Sequence, residues 1–165
     1  MLVCRSCYGI FRTDRLVQDG EGIFYCPSSH CGNIERKYRH KLCDIDDLLI
    51  DVCIQFWKEG VDTRASCSGH LWKTVFQPYI VFEIYEDSFA DYFQALLNDG
   101  KLDSVSIDTV KPSENEDNPG VGSVTVECSE VFDGGTVEKI ELQHEFLLYL
   151  YAVLDKHRAK RSGNG

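Results

Sequence analysis

The chain has no apolar run approaching the roughly 20 residues that span a bilayer, and its N-terminus lacks the charged-then-apolar layout of a secretion signal. Membrane insertion and export are therefore not expected. It also lacks a Walker-type glycine-rich loop, a dinucleotide fingerprint and the two-histidine helix of zinc proteases. Basic residues are scarce over most of its length: residues 42–155 hold six Lys/Arg against twenty-three Asp/Glu. A body of that charge repels a phosphate backbone at long range. Of the eight cysteines, Cys43, Cys53, Cys67 and Cys128 show no framework-like spacing, which argues against a secreted disulfide scaffold and for a reducing, cytoplasmic setting.

The other four cysteines are the clearest signal present. Cys4 and Cys7 form C-x2-C, and Cys26 and Cys31 form C-x4-C, the spacing of a zinc ribbon in which two turns offer paired thiolates to one tetrahedral ion. Gly9 and Gly32 follow the two pairs, and Pro27 presets φ inside the second turn. His30 is an alternative fourth ligand to Cys31. Four soft ligands suit Zn2+ and leave no open coordination position, so the expected role is structural. Residues 8–11 and 22–25 read as the ribbon's two strands. With 165 residues and 43% hydrophobic content, the chain can build one moderate core plus such a metal-held appendage. The expected division is a zinc ribbon over 1–41 and an acidic domain over 42–165.

In the acidic part, Asp44 is placed to cap a helix ending at Gly60, with Ile45, Leu48, Leu49, Val52, Cys53 and Phe56 as its apolar stripe. Residues 61–67 and 78–85 read as strands, the second with both faces apolar and therefore central. Asp87 or Ser88 can cap a second helix that carries Phe89, Tyr92, Phe93, Leu96 and Leu97 and stops at Gly100. Strands follow over 102–110 and 121–128, joined by the polar loop 111–120, and the latter puts Val124, Val126 and Cys128 on one face. After the turn at Asp133-Gly-Gly135, a last helix over 136–158 is expected to point Ile140, Leu147, Leu148, Tyr151 and Leu154 inward, with His144 on the same stripe. The order α-β-β-α-β-β-α fits an α+β fold: a mixed or antiparallel sheet of about four strands with three helices.

A second chemical cluster lies at Thr63-Arg-Ala-Ser-Cys-Ser-Gly-His70. Cys67 and His70 can act as nucleophile and base if the turn brings sulfur and imidazole together. They can also be half of a second metal site, with His144 or His157 as further ligands, or the turn can be structural, with Cys67 buried and Ser66 and Ser68 satisfying backbone groups. For noncovalent binding of a small polar or phosphate-bearing ligand, Arg64, Ser66, Cys67, Ser68, Gly69 and His70 are the candidates. The acid pairs Glu83/Glu86 and Asp46/Asp47 carry no signal amid so many carboxylates.

Gly60-Val-Asp-Thr63, Ser66-Cys-Ser-Gly-His70 and Pro78-Tyr-Ile-Val-Phe82 together resemble a pattern in small uncharacterised bacterial and bacteriophage proteins. The Ser66-Cys-Ser-Gly69 core is also similar to the tRNA wybutosine-synthesis methyltransferase family, which uses S-adenosylmethionine and carries Arg after that glycine, where this chain has His70. The resemblance is confined to the neighbourhood of this turn and implies Ser66, Cys67, Ser68 and Gly69 as site residues.

Two functions follow as expectations. The first is a cytoplasmic zinc-ribbon adaptor of bacterial or phage type that docks on a protein partner, including nucleic-acid-handling machinery, through its acidic body and ribbon. In that reading Arg5, Arg12, Arg15, the run Arg36, Lys37, Arg39 and Lys41, or the C-terminal Lys156, Arg158, Lys160 and Arg161 offer the nucleic-acid-compatible surface. The second is an enzyme or receptor for a nucleotide or S-adenosylmethionine, of an RNA-modifying kind, centred on residues 66–70.

Overall fold

A computed structural model describes residues 1–16, 18–28, 31, 42–71, 73, 75–129, 131, 132 and 135–163. The expectations for His30, Gly32, the basic run 36–41 and the turn residues 133 and 134 lie outside the described residues, as does the side chain of Arg15.

The apolar Leu2–Cys4 (β1) forms the middle of a small antiparallel sheet, flanked by Ile10–Phe11 (β2) and Leu42–Asp44 (β3). All three β1 residues are buried. The expected ribbon strands differ from this. Tyr8 adopts a left-handed φ of 58°, which breaks 8–11 and leaves two residues extended. In the second stretch Phe24 makes an isolated bridge to Gln18, and its carbonyl accepts from Leu42 N at 3.0 Å. The pairing is taken instead by β1, whose three residues are all buried. Strand β3 therefore closes this sheet from the start of the acidic segment, and Val3 packs in the main core.

Asp46, rather than Asp44, caps the first helix, accepting from Leu48 N at 3.4 Å. The opening turn, Asp47–Leu49, is a 3-10 turn, so the helix proper, Ile50–Lys58 (α1), begins later than expected. That tighter turn shifts the stripe and leaves Leu48 52% exposed, while Leu49, Val52, Cys53 and Phe56 stay buried.

The main sheet has the order Asp62–Cys67 (β4), Tyr79–Ile84 (β6), Gly122–Cys128 (β8), Val105–Val110 (β7), antiparallel throughout. A short pair, Val75–Phe76 (β5) with Val131–Phe132 (β9), stands beside it. The second helix, Asp87–Asn98 (α2), and the third, Thr136–Ser162 (α3), complete the chain. The fold is thus α+β, with antiparallel sheets and three helices. Strand β6 is interior, but only Ile80, Phe82 and Ile84 are buried; its other face is half-buried. With Val124, Val126 and Cys128 they pack against Phe56, Phe93 and Leu150 from the three helices. Phe82 meets Phe56 and Phe93 edge-on, each at 4.9 Å between ring centroids, a geometry that favours aromatic pairs beyond their area. In β4 the pairing runs Thr63↔Phe82 and then Ala65↔Val81, so Arg64 is an inserted residue, a β-bulge.

Two helix expectations need correction. The residue before α2 is Glu86, and no side chain caps that helix; Asp87 instead accepts from Ser113 N and Oγ. In α3 the inward residues are Lys139, Gln143, Phe146, Tyr149, Leu150, Val153, Leu154 and His157. Ile140 (48%) and Leu148 (56%) face out, and His144 is exposed. Part of the cause is polar: the first half of α3 turns Lys139 and Gln143 inward to bond the loop after β4, which rotates Ile140 outward while Leu142 still packs partly on the core.

Candidate active site and cysteine cluster

Cys4 and Cys7 sit on a tight knuckle. Cys4 N donates to Gly9 O (3.0 Å) and Tyr8 N to Cys4 O (2.8 Å). Gly9 supplies room more than freedom, because a Cβ there would stand 2.8 Å from the Phe11 ring and 3.3 Å from Cys7 Sγ. Cys26 and Cys31 face this knuckle, with Cys4 Sγ 3.2 Å from Cys31 Sγ and Cys7 Sγ 3.7 Å from Cys26 Sγ. The four sulfurs all lie within 4.8 Å of one another, close enough to hold one metal ion, and none of the eight cysteines is in a disulfide. Burial pushes the Cys4 and Cys26 thiols up. For Cys31 burial is outweighed by hydrogen bonds from Cys4 and Ser6, which pull it down. Buried sulfurs in mutual contact, one favouring the thiolate, are a donor set suited to a soft cation.

Arg5, which follows Cys4 in the knuckle, is not free for docking. Arg5 donates to Thr63 O, stands 3.4 Å from Glu83 and 3.8 Å from Asp62, and lies over the Trp57 ring at 5.5 Å. Trp57 Nε1 in turn donates to Thr63 Oγ1 at 2.9 Å. Arg12 is exposed and paired with Asp14.

The second cluster forms where β4 ends. Cys67 Sγ stands 3.9 Å from His70 Nε2, and His70 Nδ1 stands 3.9 Å from Asp46 Oδ2. All three residues are half-buried. Asp46 is held by its other oxygen: Oδ1 accepts from Ser68 Oγ at 2.6 Å and from Leu48 N, so Oδ2 is the atom presented to the imidazole. Gly69 N donates to Cys67 Sγ at 3.4 Å. Gly69 has φ +80°, and a Cβ there would lie 2.6 Å from the Phe76 ring. Glycine is therefore required twice over.

Helix α3 fixes this loop from below. Gln143 Nε2 donates to Ser68 O (2.9 Å) and Gly69 O (3.0 Å), and Lys139 Nζ donates to Lys73 O (2.9 Å) and Leu71 O (3.5 Å). Both side chains are buried. Residues four apart share a helix face, so one face of α3 satisfies the carbonyls on both sides of His70. A cleft of about 680 Å³ opens above, lined by Asp44, Asp46, Asp47, Ser66 to Leu71, Lys73, Tyr79 and Gln143 among others.

Of the sequence candidates, Ser66, Cys67, Ser68, Gly69 and His70 line this cleft, whereas Arg64 is exposed at the bulge and does not. Neither helix histidine joins them. His144 faces outward, and His157 is buried with Nδ1 3.0 Å from Tyr92 Oη. The third member is Asp46, one of the acid pairs given no weight in the sequence. Its signal was its position two residues before Leu48, where a carboxylate caps a helix. Gln143 and Lys139 carried no sequence signal. Cys53 and Cys128 are core residues, as their faces indicated; burial pushes their thiols up to about 11 and about 12. Comparison with protein-family models, curated proteins and solved structures finds no match to this chain. Among the described residues no helix is long and apolar enough to cross a membrane.

Proposed function

We propose that the chain is a thiol-dependent enzyme acting in the cleft at Cys67, with a structural Zn2+ on Cys4, Cys7, Cys26 and Cys31. The observation that carries this reading is the convergence of three groups on the cleft: His70 Nδ1 stands 3.9 Å from Asp46 Oδ2, His70 Nε2 stands 3.9 Å from Cys67 Sγ, and a carboxylate oxygen and the sulfur lie within 4.8 Å of each other. Asp46 orients the ring, and His70 Nε2 accepts the Cys67 proton. The thiolate attacks an electrophilic carbonyl carbon, a C–S bond forms, and the leaving group departs with the proton from His70. Water or a second acceptor then takes the acyl group. Separations of 3.9 Å close on substrate binding, as catalytic hydrogen bonds do in many unliganded sites. Eight free cysteines fit a reducing, cytosolic compartment.

Cys67 alkylation by iodoacetamide, followed by mass spectrometry between pH 5 and 9, tests it. Cys67 should react at least about tenfold faster at pH 7 than a free thiol, and His70→Ala and Asp46→Asn should slow it. A rate like that of a free thiol, unmoved by either change, overturns the enzyme. A panel of ester and thioester substrates then finds the acyl group. Thermal-shift assays with nucleotides and S-adenosylmethionine separate a receptor from this enzyme, since a receptor shows a shift that Cys67→Ala or His70→Ala removes.

An adaptor is the second reading, favoured by the charge of residues 42–155. With Arg5 engaged internally, docking on a basic partner would rest on the acidic surface, and capture would weaken steeply with salt.

A further inference from the structure

We infer that Asp46, Cys67 and His70 are also a second metal site, open to solvent, whose occupancy by a soft divalent cation of the Zn2+ class switches Cys67 off. The three groups offer a thiolate, an imidazole and a carboxylate whose ligand atoms lie within 4.8 Å of one another. Three protein ligands of these types leave a fourth tetrahedral position for water. An ideal zinc site holds sulfur and nitrogen at about 2.3 and 2.0 Å from the ion, so the 3.9 Å between Cys67 Sγ and His70 Nε2, and the separations of up to 4.8 Å across the three ligand atoms, close with side-chain shifts of up to about 1 Å. Two supports are already in place. Ser68 Oγ and Leu48 N fix Asp46 through Oδ1, an outer shell of the kind that orients metal-binding carboxylates. Asp44 and Asp47 stand on the cleft beside Asp46 and raise the local cation concentration against the Met1 amine and Lys73.

The consequence is exclusion. An ion bound here takes the sulfur lone pair that attacks and the nitrogen lone pair that accepts the proton, so metal and turnover compete for the same atoms. This regulatory half rests on the thiol-enzyme reading; the metal site itself does not.

The test uses the full chain, zinc-loaded, dialysed and titrated with Co2+, with total zinc and cobalt counted per chain. Two ions per chain are expected, the second giving a thiolate-to-cobalt charge-transfer band, and Cys67→Ala and His70→Ala should each return the total to one. Asp46→Asn should weaken the second ion at least about tenfold. Saturating Zn2+ should slow Cys67 alkylation at least about tenfold, and a chelator mild enough to leave the first ion should restore it. A total of one ion in the parent, or a second ion that survives Cys67→Ala, overturns the site. Two ions with an unreactive Cys67 would defeat the enzyme and leave the site standing, while one ion with a reactive Cys67 would do the opposite.

Discussion

The two cysteine groupings place the same side chain in opposite surroundings. Cys4, Cys7, Cys26 and Cys31 face one another, three of them buried, on a knuckle tied into the small sheet. Cys67 faces an imidazole and a cleft. In the first group every sulfur faces its neighbours, and only Cys7 is partly open to solvent. In the second, a single sulfur is supported on one side and open on the other. What a cysteine does here is decided by the company its backbone arranges, not by its spacing alone.

The largest expected effect comes from breaking the closed group. Cys26→Ser should release the ion, cost more than about 4 kcal/mol and remove hydrogen-exchange protection from Leu2–Cys4, while the β6 and β8 amides stay protected. Elemental analysis with native-state exchange reads this, and an unchanged metal content and exchange pattern would show that no ion organises the knuckle. Next comes the support beneath the open group. Gln143→Ala strands two buried carbonyls and should cost about 1–3 kcal/mol, with a lower rate of Cys67 alkylation; urea midpoints matching the parent's would mean the loop needs no such anchor.

A smaller effect concerns pH. Burial lowers the His157 pKa below its ordinary 6.5, with Arg161 adding to it, so the folded chain prefers the neutral ring. The sign follows from proton linkage: the unfolded chain binds the extra proton first, so this stability is complete above pH 6.5 and is lost as pH falls through that value toward the folded one. Between pH 7.5 and 5.5 the parent should therefore lose more urea resistance than His157→Gln, and parallel losses would remove His157 as the cause. The smallest effect sharpens the contrast most. Cys67→Ser should change stability by no more than about 0.5 kcal/mol, whereas Cys53→Ser, which puts a hydroxyl in the core, should cost about 1–3 kcal/mol. Equal costs from thermal unfolding would place Cys67 in the core after all.

Much of this was legible in the chain because it depends on local pattern. The four thiols announce themselves by spacing, β6 by its apolar run, β8 by alternation, and the ends of α1 and α2 by Gly60 and Gly100. What was not legible depends on contacts between distant segments. The inward face of α3 was misjudged because Lys139 and Gln143 look like surface residues until the carbonyls of 68–73 appear beneath them. Asp46 was one acid among many until Ser68 took one of its oxygens. The strand Leu2–Cys4 was hidden in the knuckle because its partners lie on either side of the second cysteine pair.

The bulge at Arg64 has a further effect on Cys67. Thr63 pairs with Phe82 on the face that meets the helices, and unbroken alternation would return residues 65 and 67 to that same side. The extra residue inverts the phase, so Ser66 pairs with Ile80, and Cys67 pairs with Tyr79 on the reverse side. One inserted amino acid is thus what separates a half-buried thiol on the cleft from a third core cysteine like Cys53 and Cys128. Deleting Arg64 should hide this sulfur from every reagent without changing its immediate neighbours in sequence.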